Sequence, residues 1–210
     1  MPEGITKPTK EQIEKDYIFA GFTPESNDFL STEMVTLASV RSVPVTEPCD
    51  QSWRDKYPTT WMWEANRTVT AADDMLTSRY SIQFYSVSQK YWQNDSSSWD
   101  TYAMVREAHL EWGLRDGAKI MFAFTDFMLY DGDSEIFGRV EDIGLPYLLI
   151  TCYGFDENAM TARHEVGHSY NLTHCSASTN CVMAAGAALS KYNSICSTHN
   201  TQWNNNRTRY

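Results

Sequence analysis

Short apolar runs and amphipathic stretches alternate along this chain, which predicts a protein that contains both strands and helices. Residues 35–45 are rich in β-branched side chains and predict a strand, which Pro44 ends at the edge of a sheet. The aromatic segment 48–66 predicts turns whose rings serve mainly in packing. Four later segments have the apolar pattern of strands: residues 80–92, 119–127, 136–140 and 146–153.

Helical signals lie between these predicted strands. Thr70 is placed to cap a helix that ends near residue 79, with acidic residues in its first turn. Residues 100–114 repeat apolar side chains at helical spacing, and His109 falls on the apolar side, where we expect a core or boundary residue with its hydrogen bonds satisfied. Asn158 is placed to cap a further helix over residues 159–170.

Composition and net charge argue against some classes of binding partner. Hydrophobic residues make up 42% of the chain and charged residues 21%, as in globular proteins. No apolar run approaches the roughly 20 residues of a membrane span. The net charge of −10 argues against nucleic acid. The first sixteen residues lack the apolar segment of a signal peptide, so a cytoplasmic protein and a processed secreted form both stay open. We expect a monomer.

One segment of the sequence combines the residues of a catalytic metal site. His164 and His168 stand four apart, so on a helix they lie on one face, one turn apart. Imidazole suits Zn²⁺, which takes three protein ligands in catalytic sites. Glu165 adjoins the first histidine, where a carboxylate can act as general base. Asn171 tolerates the left-handed conformation needed to turn the chain back and bring in His174 as third ligand.

A second set of soft ligands follows. Cys175, Cys181, Cys196 and His199 suit a closed tetrahedral zinc site of structural type. The alternative is a disulfide between Cys175 and Cys181, with Cys196 paired elsewhere or free. We favour the zinc site, and both interpretations stay open. Two further cysteines are expected to be packed thiols: Cys49 and Cys152.

An acidic turn follows the strand predicted over residues 119–127. Asp126 and the segment 130–135 together carry four acidic groups. Their oxygens suit a calcium site, although a solvated loop is the more usual structure for such a turn.

Residues 161–183, TARHEVGHSYNLTHCSASTNCVM, resemble the zinc-binding segment of the metzincin peptidases. That family has the pattern H-E-x-x-H-x-x-G-x-x-H followed by a Met-turn. Asn171 here stands at the glycine position, and Met183 would lie below the metal. The archaemetzincin branch is the most similar, because Cys175 directly follows the third histidine and Cys181 stands two residues before the methionine.

The resemblance extends over residues 118–199 and carries further implications. Archaemetzincins hold a second zinc with four cysteines, whereas this chain differs in the spacing of these ligands and has His199 as the last one. The resemblance also implies that the strand near residues 136–142 borders the cleft and pairs with extended substrate.

The expected fold class is α+β and metzincin-like. It would consist of a mixed twisted β-sheet with packed helices, an active-site helix that carries the H-E-x-x-H motif, and a small irregular C-terminal lobe with the Met-turn. We predict one catalytic domain over residues 1–210, with an N-terminal lobe over 17–171 and a C-terminal lobe over 172–210. Residues 1–16 would form a loose lead, and the end of the polar tail, 198–210, would be poorly ordered.

The predicted function is a zinc metallopeptidase, either an endopeptidase or an aminopeptidase-like enzyme, acting on peptide or protein substrates. Glu165 would be its general base, with one catalytic zinc and a second, structural zinc. The alternative is a catalytically weak or inactive zinc-stabilised binding protein with the metzincin fold. Glu165 argues against it, because a structural site has no use for a base.

Overall fold

A five-stranded sheet forms the centre of the computed structural model, which describes residues 40–96, 100–175, 180–187, 190 and 192–210. The strand order is β2-β1-β3-β7-β6, and β4 pairs with β5 in a separate ladder. Strands β2, β1, β3 and β7 run parallel, and β6 runs antiparallel to β7 at the edge. In chain order the elements are β1 (Arg41–Cys49), α1 (Gln51–Lys56), α2 (Trp61–Tyr80), β2 (Ile82–Tyr91), α3 (Thr101–Glu111), a 3-10 turn (Arg115–Gly117), β3 (Ile120–Thr125), β4 (Leu129–Asp131), β5 (Ser134–Ile136), β6 (Gly138–Val140), β7 (Tyr147–Thr151), α4 (Phe155–Ser169) and α5 (Ser197–Asn206).

Helices cover both faces of this sheet, which explains why its central strands are apolar throughout. In β3, Ile120, Phe122 and Phe124 belong to the core beneath α2 and α4. Met121 and Ala123 alternate with them and belong to the core beneath α3. All five side chains are fully buried. The expected mixed α+β fold, with a mostly parallel sheet and packed helices, is confirmed.

Strand β1 corrects the expectation for Pro44. The strand runs to Cys49, between β2 and β3, so Pro44 lies inside the sheet and does not end a strand at its edge. Its carbonyl oxygen still accepts a hydrogen bond from the Lys119 N–H, at 2.7 Å. The register with β2 shifts between Val45 and Thr46, one residue beyond the proline, which lacks an N–H.

Helix α2 is longer than the sequence suggested. It begins at Trp61, inside the segment expected to form turns, and Thr70 is an interior residue rather than its cap. The Thr70 hydroxyl donates to the Asn66 carbonyl oxygen, four residues back, at 2.9 Å. A threonine can satisfy its hydroxyl in this way within a helix, so its capping preference misled the prediction.

The C-terminal tail is also better defined than expected. Residues 197–206 form α5, and its Trp203 is fully buried. That indole stacks on Tyr80, with ring centroids 5.5 Å apart, and the Tyr210 hydroxyl donates to the Ser169 carbonyl oxygen at 2.9 Å. The prediction of a poorly ordered end was wrong, because Trp203 and Tyr210 both pack against the core.

Two polar features away from the histidine motif have structural partners. The Nδ1 atom of His109 lies 2.7 Å from the Glu141 carboxylate, and its ring stacks on Tyr147, which confirms a satisfied boundary residue. In the acidic turn Asp126 pairs with Lys56 at 2.6 Å. Within the described residues this turn contributes no cluster of possible metal ligands, so the structure gives no support to a calcium site.

The predicted loose lead, 1–16, lies outside the described residues, as does the part of the predicted N-terminal lobe before residue 40. No helix in the described ranges combines the length and apolar character needed to cross a membrane.

Candidate metal centre

Helix α4 carries the first two histidines and Glu165. It begins at Phe155, just after the end of β7, so Asn158 is an interior residue and the prediction that it caps the helix was wrong. Its side-chain oxygen nevertheless serves the helix start, because it accepts hydrogen bonds from the N–H groups of Tyr153 (2.8 Å) and Gly154 (3.3 Å). The amide reaches back towards the helix start from inside the first turn.

Asn171 ends this helix in the conformation that the sequence predicted. Its φ is +69°, in the left-handed region. The Asn171 N–H donates to the His168 carbonyl oxygen (2.9 Å) and the Leu172 N–H to that of Gly167 (3.0 Å). These are the two bonds of a Schellman motif, with asparagine in the usual place of glycine. The chain therefore reverses here and returns past the face of α4 that carries His164.

Three imidazole nitrogens meet at this reversal. The Nε2 atoms of His164 and His168 lie 3.0 Å apart, and that of His174 lies 3.2 Å and 3.3 Å from them. The Nδ1 atom of His164 is 2.7 Å from the Val182 carbonyl oxygen. The Nδ1 atom of His168 is 2.8 Å from the Leu172 carbonyl oxygen.

These contacts determine the tautomers of the two histidines on α4. A carbonyl oxygen only accepts, so Nδ1 of His164 and of His168 must carry the hydrogen. Their Nε2 atoms then present lone pairs to one another at 3.0 Å, an arrangement that repels unless a cation lies between them. Burial lowers the pKa of His164 to about 3 and that of His168 to about 4, so neither ring supplies this charge as imidazolium.

The spacing of the triad suits a zinc ion. Zinc–nitrogen bonds of about 2.0–2.1 Å in tetrahedral geometry separate the ligand atoms by about 3.3–3.4 Å. The three separations found here, 3.0 to 3.3 Å, are close to that value. His164 and His168 also donate from Nδ1 to backbone oxygens, as zinc-bound histidines usually do. The residues present therefore fit a catalytic-type zinc site.

Glu165 follows His164 directly on α4, and its carboxyl is buried. Burial raises the pKa of Glu165 to about 8, while a hydrogen bond from the Val140 N–H and the charge of Arg139 oppose that rise. A divalent cation held by the neighbouring histidines would lower this pKa again, because positive charge favours the carboxylate. The pKa of the Glu165 carboxyl would therefore depend on whether the histidines hold a cation.

Two glycines let other elements approach α4 closely at the triad, and sequence reasoning missed both. A Cβ on Gly138 of β6 would lie 2.6 Å from Thr161 Cγ2 and 3.0 Å from Glu165 Cγ. A Cβ on Gly167 would lie 2.8 Å from Met183 Cε, and closer still to its sulfur. A glycine inside an otherwise good helix was the available signal for such an approach.

The turn that contains Met183 contacts His164 and the backbone next to His174. Cys181, Val182 and Met183 are all fully buried. The Val182 carbonyl oxygen accepts from His164, and the Met183 carbonyl oxygen accepts from the Cys175 N–H at 2.7 Å. This turn therefore holds one ligand of the triad directly and the backbone next to His174.

The second predicted ligand set also comes together. The sulfurs of Cys175, Cys181 and Cys196 and a ring nitrogen of His199 all lie within 4.8 Å of one another. Nδ1 of His199 is 3.0 Å from the Cys196 sulfur and 3.5 Å from that of Cys181. The sulfurs of Cys175 and Cys196 are 3.9 Å apart, near the edge of about 3.8 Å expected for two thiolates on one tetrahedral zinc.

The alternative disulfide is not formed. All five cysteines belong to the described residues, and none is joined to another. Cys49 is fully buried, and burial raises the pKa of its thiol well above the usual value. Cys152 is also buried, with its sulfur 3.0 Å from the Tyr57 hydroxyl. Neither belongs to a ligand cluster within the described chain, as expected of packed thiols.

Comparison with solved structures places this fold among known ones. The structure matches archaemetzincin from Methanopyrus kandleri with a TM-score of 0.58 and 15% sequence identity. The match covers 84% of this chain and 100% of the archaemetzincin chain. The chain has an archaemetzincin-like fold. Archaemetzincin from Archaeoglobus fulgidus, complexed with malonate, matches at a TM-score of 0.49 and 15% identity over 77% of this chain and 99% of that one. No protein-family model and no curated protein matches the sequence.

At 15% identity the likeness concerns the fold alone, so the chemistry must come from this chain's own residues. Those residues form two groups of possible metal ligands within the described part of the archaemetzincin-like fold. One consists of three histidines beside a buried carboxyl, and the other of three thiols and a histidine. Both are compatible with zinc.

Proposed function

We propose that this chain is a zinc-dependent metallopeptidase. The observation that carries the proposal is the triangle of Nε2 atoms on His164, His168 and His174, with the buried Glu165 on the helix that carries the first two. A structural zinc site is usually closed by a fourth protein ligand, whereas three histidines leave a position for water. Glu165 supplies the base that hydrolysis requires. Met183 would then belong to a Met-turn under the metal.

Zinc bound at this triad would polarise the scissile carbonyl and make water more acidic. Glu165 then takes the proton from the attacking water and passes it to the leaving amine nitrogen, as a general base and afterwards a general acid. Its buried position favours this exchange, because a carboxyl in an apolar environment holds a proton more readily than one in water. The Val140 N–H holds the carboxylate towards β6.

The edge strand β6 offers a place for an extended peptide. The Phe137 carbonyl oxygen and the Glu141 N–H bond towards β7, at 3.0 Å and 2.9 Å. By the alternation of an antiparallel ladder, the backbone groups of Gly138 and Val140 point away from β7. Val140 gives its N–H to Glu165, and among the described residues the remaining outward groups have no hydrogen-bond partner, so a peptide strand would pair with them. We therefore propose peptides or proteins as substrates.

The second ligand set would hold a structural zinc. Three thiols and one imidazole close a tetrahedral site without an open position. Such an ion would join the backbone after Asn171 to the Met183 turn and to the start of α5. Two zinc ions per chain are thus expected, one catalytic and one structural.

The test compares the parent protein with Glu165→Gln. We expect the parent to cleave peptides from a mixed peptide library and to lose this activity with a chelator. Glu165→Gln should lower the rate of peptide hydrolysis at least about 100-fold, which is the contribution that a general base usually makes. Its zinc content should stay near two per chain. Product masses would distinguish internal cleavage from removal of N-terminal residues. A zinc-loaded parent that cleaves no peptide would instead favour the binding-protein alternative.

A further inference from the structure

The two ring nitrogens of His199 contact different groups. Nδ1 faces the thiols of Cys196 and Cys181, at 3.0 Å and 3.5 Å. Nε2 lies 3.0 Å from the carbonyl oxygen of Thr173, the residue before the third histidine of the triad. The ring is 4% exposed, so water hardly competes for either contact. One side chain thus contacts the thiol set and the backbone just before the third histidine of the triad.

The chemistry of each contact is settled by its partner. The Thr173 carbonyl only accepts, so Nε2 of His199 carries the hydrogen. Nδ1 therefore presents its lone pair to the thiols, which is the state of a metal ligand. The Thr173 carbonyl belongs to the same planar peptide group as the N–H of His174, so holding this oxygen restricts the backbone of His174.

Hydrogen bonds hold the backbone on both sides of His174. His164 and His168 each donate from Nδ1 to a backbone oxygen, which fixes the direction of Nε2. Of the residues that the structure describes, none accepts a hydrogen bond from Nδ1 of His174. Its neighbours are held instead: the Thr173 carbonyl by His199 and the Cys175 N–H by the Met183 carbonyl oxygen.

We propose that His199 is a positioning residue for the catalytic metal site, acting on His174 through the Thr173 carbonyl. The inference rests on the proposed function. Cysteine would serve as well as histidine to complete a structural zinc site, but it offers one sulfur and no second polar atom. Histidine at position 199 therefore does two things, and the substitution His199→Cys separates them.

The experiment follows how fast a chelator removes zinc from the folded, two-zinc protein. Cobalt substitution distinguishes the two sites, because only the thiolate site gives sulfur-to-metal charge-transfer absorption. We expect His199→Cys to retain the charge-transfer band while the histidine-bound ion leaves about tenfold faster, since outer-shell partners typically contribute 10–100-fold to affinity. Cys196→His is the matched control, because it changes one ligand of the cluster and leaves the Thr173 contact intact.

Each outcome decides the matter. Release at the parent's rate in His199→Cys would overturn the positioning role, and so would equally fast release in Cys196→His. Should His199→Cys fail to fold, His199→Gln and His199→Ala replace it. Both lack the fourth ligand, but only glutamine retains an N–H that can reach the carbonyl, so equal rates overturn the proposal. A parent without metal at the histidines would refute the proposed function itself, and this is seen before any variant is made.

Discussion

The contact between Gly167 and Met183 allows a quantitative test of how the turn packs beneath the triad. A Cβ on Gly167 would lie 2.8 Å from Met183 Cε, closer to its sulfur, and 3.4 Å from the Trp203 ring. Met183 and Trp203 are both fully buried, so neither side chain has free space to enter. Gly167→Ala therefore forces the sulfur and terminal methyl group of Met183 to shift within the packed core.

Two effects of opposite sign determine how much Gly167→Ala changes the free energy of unfolding. Forcing a methyl group into a packed core costs about 1–3 kcal/mol. Alanine in place of glycine inside a helix returns about 1 kcal/mol. Gly167→Ala should thus lower the free energy of unfolding by up to about 2 kcal/mol in the parent. In a Met183→Ala background the obstacle is absent, so the same change should stabilise by about 1 kcal/mol. The coupling between the two sites is about 1–3 kcal/mol.

The assay is urea unfolding of the parent, both single variants and the double variant, each with and without chelator. Met183→Leu serves as the control, because it conserves side-chain volume and should leave most of the clash in place. Effects of the two substitutions that add to within about 0.5 kcal/mol would refute the close packing of Met183 on Gly167.

Three further predictions concern the metal, pH and the C-terminal helix. His174→Ala should reduce zinc, measured by elemental analysis, from two per chain to one, and unchanged content would remove this residue from the ligand set. Burial raises the pKa of Glu47 to about 8 from the usual 4.5, so the folded state binds more protons than the unfolded state between these values and stability falls as pH rises through that range. Glu47→Gln should reduce this slope by the contribution of Glu47 and add about 3 kcal/mol to the free energy of unfolding at pH 7, and an unchanged slope between pH 5 and 8 would contradict it. Trp203→Ala should cost about 3–5 kcal/mol in denaturant unfolding, because it empties a fully buried site between Tyr80 and Tyr170; a loss below about 1 kcal/mol would show that α5 is not anchored there.

Several helices and strands begin or end at other residues than expected, because the side chain used to predict an end can also be accommodated inside the element. Thr70 bonds to a carbonyl within α2, and Asn158 serves the start of α4 from inside the helix. Pro44 lies between two paired strands, where a register shift follows it. In each case local propensity identified a residue with unusual hydrogen bonding, but packing determined where the helix or strand began or ended.

The sequence by itself determined what depends on local geometry. The four-residue spacing of His164 and His168 requires them to share a helix face, and Asn171 permits the left-handed turn that the structure shows. Only the tertiary structure decided which groups orient these ligands. The Val182 carbonyl oxygen, the closely packed Gly138 and the contact from His199 come from segments far apart in sequence. A backbone carbonyl has no sequence signature, because every residue carries one, so its role emerges only when the fold brings it to the site.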